Sequence, residues 1–574
     1  ETGDEVKRKL MKQWILKITD YSQRLLDDLK DLNWPDSIKK MQTNWIGKKT
    51  GVFVNFFFLN FFKIIKIFLI DPNLLNSECF CLLSYESKIV KKIFFKNSFL
   101  KIKTIDFLKK IFNNSIEFSN FESFDKTCFF SGLILINPLN NKKIPVFISN
   151  YFLNNFNEII ICSLFLNFLN FFFYKKNFRF FYYIINEKKK INFIKNNFFF
   201  FFISFYKVFY NLNFFLGKKF NLKDWIFSRQ RLWGEPIPIF HSIKNDSFFP
   251  FDDNELPLKF SFKNEFKIGF SLIKEDLFFV KNKKLFYKEI NTMPQWAGSC
   301  WYFLRFIDPL NNNFFVSSEL ENYWMPVDLY IGGAEHAVLH LLYSRFWYKV
   351  LFDLNLVKKN EPFIRLFNPG LVLYESYMDE FGKYYHINEV EKNNNNFYLK
   401  KENRVLINKI EKMSKSKYNV VNPNEILDKR GADCLRLYEL FLGPLNKNKI
   451  WNELSLSGMA RFLNKIWDFS DKIIKKNLLE NEKSKNANSK DKEILDILIK
   501  DIEFCIIELK FNVAISKLMT YFNYISKKET ISLESFSIFL KLLCPFAPHI
   551  SEEIWNLIGK KSFISTSEWP KISI

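Results

Sequence analysis

Residues 51–222 most restrict how this chain can fold. The stretch is dominated by Phe, Ile, Asn and Lys, in runs such as NNFFFFFISFY from Asn196 to Tyr206. Short apolar segments between Asn, Lys and Pro turns read as small strands, although the alternation is too blurred to bound each one. The flanks differ. From Ile18 to Leu29 the apolar spacing is helical, and Trp34-Pro35 ends that element. From Asp224 to about Pro444, Gly, Pro, Trp and Arg return at defined places. Beyond that the spacing predicts helices over Leu454–Ile474, Lys492–Met519 and Ile531–Ile558. A polar low-complexity joint, Glu480–Glu493, separates the first two, and there is no internal repeat. A chain of 574 residues exceeds one core, so the texture divides it into 1–50, 51–222, 223–445 and 446–574.

The net charge of +23 favours an acidic partner, nucleic acid first and an anionic membrane second. That inference is discounted by the 72 Phe and only 16 Gly. Phe, Asn, Ile, Lys and Tyr are inflated together, and they share A/T-rich codons, so mutational bias supplies part of the charge. Eight cysteines are scattered without a Cys-x-x-Cys pair, which excludes a zinc knuckle or disulfide framework and fits a reducing, cytoplasmic setting. Glu1–Arg8 is too polar for a signal peptide, and a first residue other than Met implies a longer chain. The most apolar run, Ile159–Tyr174, is about two residues short of a membrane span and contains two asparagines.

Four segments carry chemistry. In YIGGAEHAVLHLLYSRFW (Tyr330–Trp347), the pair Gly332-Gly333 precedes an amphipathic helix. Such a pair lets a ligand approach the backbone and meet the free N–H groups of a first turn, and Glu335 can accept hydrogen bonds from ribose hydroxyls. His336 and His340 share a helix face, which suits packing, a small-ligand site or zinc; the Glu of the zinc-protease pattern is absent between them. In MPQWAGSCWYFLRF (Met293–Phe306), aromatics surround small residues, which suits either plain core or an apolar pocket with Ser299 and Tyr302 as its polar groups. Arg229 and Arg231 before the Trp-Gly-x-Pro-x-Pro turn suit a phosphate clamp or ordinary surface ion pairs. Finally, EKMSKSKYNVVNP (Glu411–Pro423) places Lys412 and Lys415 three apart beside two serines, as a solvated loop or a grip for an anion.

In succession these segments, together with QWILKITDYSQRLLDDLKDLNWPDSIKKMQTNWIG, GADCLRLYELF and LLCPFAPHISEEIW, resemble the leucyl-tRNA synthetases, class I aminoacyl-tRNA ligases. The resemblance covers everything outside 51–222. KMSKS alone would indicate only class I; Gln295–Ser299 and Gly332–His336 carry the leucine assignment. The resemblance implies a Rossmann-like α/β catalytic domain, of which this chain holds the second half, interrupted by a degenerate β-rich editing-type insertion and followed by a helical anticodon-binding-type bundle. It implies activation of leucine by ATP with Mg2+, then transfer to tRNA-Leu, with no metal site in this chain, no membrane and a monomeric complete enzyme. Lys415 first and Lys412 second would stabilise the phosphate charge, with Met413, Ser414 and Ser416 completing the loop over ATP. Gly332, Gly333 and Glu335 would hold the adenosine, and Trp296, Ser299, Tyr302, His336 and His340 the leucine side chain.

Three departures bear on activity. The family's His-x-Gly-His signature is missing, because the five histidines (His241, His336, His340, His386, His549) all lie elsewhere. This implies a fragment or one subunit of a split enzyme, inactive alone. The family's small C-terminal domain on the tRNA elbow has no counterpart. The threonine-rich editing stretch is represented by LIDPNL, Leu69–Leu74, where only Pro72 matches, and the segment after Leu153 lacks the expected aspartate. A non-catalytic tRNA-binding derivative is the alternative, and a membrane-associated protein a distant third. Survival of the synthetic motifs beside loss of the editing ones favours retained synthesis. The complete protein should therefore leave tRNA-Leu charged with norvaline or isoleucine almost intact in a deacylation assay; efficient hydrolysis would contradict the loss of editing.

Overall fold

The computed structural model describes residues 11–59, 63–77, 79–84, 87, 128–149, 159–163, 214–231, 233–245, 247–258, 278–281, 283–393, 396–400, 402, 404–479, 489–528 and 531–572. The chain forms two units: Glu1–Asp328 with Glu335–Ile364, and Leu329–Ala334 with Arg365–Ile574.

In the first unit the described residues of the Phe-rich stretch form a seven-stranded sheet. Strand Lys49–Phe58 pairs antiparallel with Lys63–Leu69 on one side and with Cys128–Ile136 and Phe214–Lys219 on the other. Val52, Val54, Phe56 and Phe58 are buried, and the residues between them are more exposed, which is the period of two that a half-covered strand requires. The framework Ser131–Leu153 begins as a hairpin of Cys128–Ile136 and Lys143–Ser149, turned by Asn137 and left-handed Asn141, with the Asn137 amide donating to the Leu75 carbonyl at 2.7 Å. Ile159–Ser163 is a strand of this sheet; the rest of the apolar run to Tyr174, and Asn196–Tyr206, lie outside the described residues. Among the described residues no helix is long and apolar enough to cross a membrane.

Entry to and exit from this sheet are stitched together. Asn221 N–H donates to the Ile46 carbonyl at 2.9 Å, and a Cβ on left-handed Gly47 would stand 2.5 Å from the Asn221 side chain, so the crossing requires glycine. Ile15–Leu16 then pairs with Trp225–Ile226 across more than 200 residues of sequence. The expected helix over Ile18–Leu29 is broken into a 3-10 turn at Ile18–Tyr21, an α-turn at Ser22–Asp27 and a second 3-10 turn at Asp28–Lys30. Helix Asp36–Ile46 follows the Trp34-Pro35 break. Ile18, Leu25, Ile46 and Trp225 pack on Leu342 and Phe346 of helix His340–Asp353.

That helix also buries two cations. Arg345 donates to both oxygens of Glu361 at 2.8 and 2.7 Å, and Lys349 reaches Glu361 at 2.7 Å and is paired with Asp28. Two positive groups, both fully buried, are therefore balanced by two carboxylates, of which Asp28 is partly exposed.

The second unit joins a sheet to a helical bundle. Strand Val372–Met378 lies between Tyr384–Tyr385 and Arg404–Lys412, and Lys449–Ile450 adds parallel to it. Of the three predicted helices, Leu454–Ile474 lies within an unbroken helix Glu453–Leu479, and the other two divide. Left-handed Leu509 separates Ser489–Ile507 from Phe511–Ile525, and a segment between Leu533–Leu543 and Pro548–Leu557 contains Pro545. The GADC and PFAPH motifs interlock: Asp433 accepts the His549 and Ile550 N–H groups at 3.2 and 2.7 Å, satisfying the open start of the last helix.

Glu361→Gln should unfold the first unit at markedly lower urea, with a loss of about 3 kcal/mol or more, because it leaves Arg345 and Lys349 buried against a single carboxylate.

Candidate active site

In the first unit, the turn Trp296–Ser299 and the helix Tyr302–Ile307 face the start of helix His340–Asp353. The Trp296 ring lies 5.8 Å from His336 and 6.4 Å from His340, Tyr302 lies 6.4 Å from His340, and the two imidazoles are 6.2 Å apart and near perpendicular. Four of the five sequence-predicted side-chain contacts thus converge. Ser299, half-buried, ends the turn that carries Trp296. His340 is buried with Ser344 Oγ 3.3 Å from Nδ1, and desolvation, then the neighbouring His336, push its pKa down to about 4. The ring is therefore neutral at physiological pH. The buried Nδ1 of His336 has no hydrogen-bond partner among the described residues, leaving one polar atom open in an aromatic wall. Burial pushes the adjacent Cys300 thiol up to about 12, so no thiolate nucleophile stands there. Glu335 is exposed and makes no hydrogen bond or ion pair among the described residues.

In the second unit, Gly332 is anchored by backbone and side chain: its N–H donates to Phe367 at 3.1 Å, and the Asn368 amide donates to its carbonyl at 2.7 Å. A Cβ there would meet only the Tyr330 ring edge at 3.8 Å, so the chain's own packing does not demand this glycine. Gly333 beside it is half-buried. The lysine loop leaves strand Arg404–Lys412 and turns through Lys415–Lys417, with Tyr418 left-handed. Ser414 N–H donates to the buried Asn419 side chain at 2.8 Å, Asn419 Nδ2 reaches the Tyr374 carbonyl at 3.3 Å, and the Ser414 and Ser416 hydroxyls are 2.9 Å apart. Met413 packs on the bundle core. Lys417 is ion-paired with Glu411, which holds the Glu411 carboxyl below its usual range, whereas the Lys412 and Lys415 ammoniums are exposed and make no ion pair or hydrogen bond among the described residues. Of the three loop lysines, Lys417 is neutralised locally, and Lys415 and Lys412, the two expected to act on phosphate, have no internal counter-charge among the described residues. Among the described residues no three His, Cys, Asp or Glu side chains gather as a metal site.

Three family models match parts of the chain. A family model described as leucyl-tRNA synthetase, editing domain, matches residues 43–177; one for class I tRNA synthetases (I, L, M and V) matches 210–378 and 403–451; and one for the anticodon-binding domain of tRNA ligase matches 491–574. The leucine–tRNA ligase of Borrelia duttonii (strain Ly) is 40% identical over 600 residues, covering 99% of this chain and 70% of that protein. That of Borreliella burgdorferi (strain ZS7) is 39% identical over 594 residues, covering 99% and 69%. The crystal structure of the ternary complex of Agrobacterium radiobacter K84 agnB2 LeuRS–tRNA–LeuAMS matches with a TM-score of 0.75 and 27% identity, over 100% of this chain and 68% of that one.

The chain belongs to the leucine–tRNA ligases.

It therefore has the class I synthetase fold with an editing-type insert and a helical C-terminal region. Within this ligase fold the two arginines of the Trp-Gly turn are not a paired clamp. Arg229 lies 4.3 Å over Trp233, bonds its carbonyl at 3.3 Å and reaches Thr292 at 3.2 Å, which makes it a strut for the turn. Arg231 bonds the Gln230 carbonyl. Sequence reasoning passed over Glu235 of the same turn, whose carboxylate accepts the Gly298 N–H at 3.2 Å and would lie 2.3 Å from any Cβ at Gly298. Its position beside Gly234 in Trp-Gly-Glu-Pro was the available signal. Asn419 was missed too, because a buried polar residue in a charged loop looks like any other loop asparagine.

Neutral burial of His340 has a measurable sign. In the unfolded chain its imidazole protonates near 6.5, in the folded one only near 4, so unfolded chains bind the extra proton between these values and stability falls as pH drops through them. His340→Gln should flatten that part of the pH dependence in urea titrations at pH 7 and pH 5.

Proposed function

We propose that this chain supplies the leucine-activating and tRNA-charging machinery of a leucine–tRNA ligase, working on MgATP, leucine and tRNA-Leu. A leucine carboxylate oxygen attacks the α-phosphorus of ATP, the bond to pyrophosphate breaks, and a terminal ribose hydroxyl of tRNA then displaces AMP from the acyl carbon. Lys415, with Lys412, stabilises charge on the α-phosphate and the departing pyrophosphate without bonding covalently. Met413, Ser414 and Ser416 shape the same loop. Gly332 and Gly333 admit the nucleotide to the backbone, and Glu335 accepts from ribose hydroxyls. Trp296, Ser299, Tyr302, His336 and His340 enclose the leucine side chain, with the neutral His340 imidazole suiting an uncharged guest. Mg2+ arrives with the triphosphate, as is usual for an ion that keeps phosphate and water ligands.

The observation that carries this reading is the sorting of the loop lysines: Lys417 is held by Glu411, while Lys412 and Lys415 have no internal counter-charge among the described residues. Residues 51–222 serve as an editing-type scaffold and 446–574 as the tRNA-gripping bundle. Loss of editing is supported at Asp71, whose carboxylate caps the turn after Pro72 by accepting the Asn73 N–H at 2.9 Å, and by leucines where hydroxyls are expected. Phosphate contacts by the bundle would make tRNA affinity fall with salt.

Leucine-dependent ATP–pyrophosphate exchange by the complete polypeptide decides the matter. Lys415→Ala should lower the rate by about two to three orders of magnitude, as removal of a transition-state charge donor does, and Lys417→Ala by far less. An undiminished rate in Lys415→Ala would refute the assignment.

A further inference from the structure

The stretch Met41-Gln42-Thr43-Asn44-Trp45 has no role in the reading above, yet Gln42 is completely buried in helix Asp36–Ile46. Both ends of its amide are occupied. Nε2 donates to the Ala337 carbonyl at 2.7 Å, and Oε1 accepts from Arg345 Nη1 at 2.8 Å. A primary amide held between a carbonyl and a guanidinium has one satisfactory orientation, so neither end can rotate away without leaving a buried polar group unpaired.

The location of that carbonyl gives the contact meaning. Ala337, itself buried, lies in the short turn between His336 and His340, the two imidazoles of the aromatic wall. His336 has no side-chain tether of its own on Nδ1, so the backbone sets its ring position against Trp296. On the other side Arg345 is fixed by Glu361 and by the Leu25 carbonyl at 2.9 Å. An aliphatic residue would fill the same volume without the desolvation penalty of an amide; what it could not do is hold a carbonyl of the histidine turn at a fixed distance from the ion network.

We propose that Gln42 is a positioning residue for amino-acid recognition: it anchors the turn at Ala337 and thereby sets the placement of the His336 and His340 rings that contact the leucine side chain. The inference rests on the proposed leucine pocket and adds a residue that touches no substrate. It differs from simple core packing in what it predicts. A packing residue changes the amount of folded enzyme, and so kcat and all apparent affinities together. A positioning residue changes leucine recognition and leaves the ATP side alone.

Gln42→Glu separates the two bonds, since it keeps an acceptor for Arg345 and loses the donor to Ala337. In the complete polypeptide, leucine KM should rise about tenfold, because small displacements of substrate-contacting groups carry large penalties, with ATP KM within twofold and a smaller preference for leucine over isoleucine. The imidazole NMR signals of His336 should move although the substituted side chain contacts no imidazole. Gln42→Met, similar in size but lacking both bonds, serves if the glutamate variant does not fold. A folded variant with unchanged leucine KM, or with leucine and ATP KM raised in parallel, overturns the proposal; so does failure of both variants to fold, which would assign Gln42 to stability alone. His336→Ala is the control: if it too leaves leucine KM unchanged, the pocket assignment fails rather than the role of Gln42.

Discussion

The buried charges of helix His340–Asp353 are the constraint around which the first unit is arranged. Arg345 and Lys349 have no access to water, and each would be strongly destabilising there without the carboxylates of Asp28 and Glu361. Those partners come from segments about 320 residues earlier and about a dozen later, so the helix cannot be buried until both have folded against it. Apolar packing of Leu342 and Phe346 supplies the drive, but it is non-directional. The ion network fixes which way the helix is rotated, and with it the direction in which His340, five residues before Arg345, presents its ring.

The same logic explains how the chain tolerates so unusual an insertion. Because Asn221 bonds Ile46 and Trp225–Ile226 pairs with Ile15–Leu16, the chain leaves and re-enters the surrounding fold at almost one point. What happens between those points need only form its own sheet. Val52, Val54, Phe56 and Phe58 do so with alternation intact, even though the mutational drift towards Phe and Asn has erased it from the sequence as a readable signal. Substitutions there are free of the geometric demands made on residues around the histidine turn. This accounts for a chain whose insertion has drifted in texture while the segments on either side keep sharply defined motifs.

How much was legible depended on whether the deciding partner was near in sequence. The aromatic turn at Trp296 and the lysine loop were visible, since each is a local pattern, but the helix face expected to carry both histidines is not formed: His336 ends a 3-10 turn and the helix begins only at His340. The neutralisation of Lys417 was less so: Lys417 and Glu411 are six apart, a spacing with no helical meaning, and they meet where the strand ends at Lys412 and the chain turns through Lys415–Lys417. The split of Lys492–Met519 at Leu509 was invisible, since a leucine in left-handed conformation leaves the apolar periodicity unbroken. The bond from Gln42 to distant backbone could not be read at all. A glutamine in an amphipathic helix ordinarily marks the wet face, and only the arrival of Arg345 reverses that expectation.

Burial links recognition to protonation at the pocket. The desolvation that pushes His340 down to about 4 is the same desolvation that makes the wall formed with Trp296 and Tyr302 apolar. An imidazolium in that position would draw water or an anion towards the place proposed for an aliphatic side chain, and would repel any cation beside it. A neutral ring does neither, and its edges offer shape with little charge. Selecting leucine over its isomers is a problem of shape, worth only a few kcal/mol per methyl-sized difference in an apolar pocket, so small errors in ring placement are felt directly. The demand for accuracy therefore passes backwards, from the His336 ring, whose Nδ1 has no partner among the described residues, through the Ala337 carbonyl, to the buried ion network.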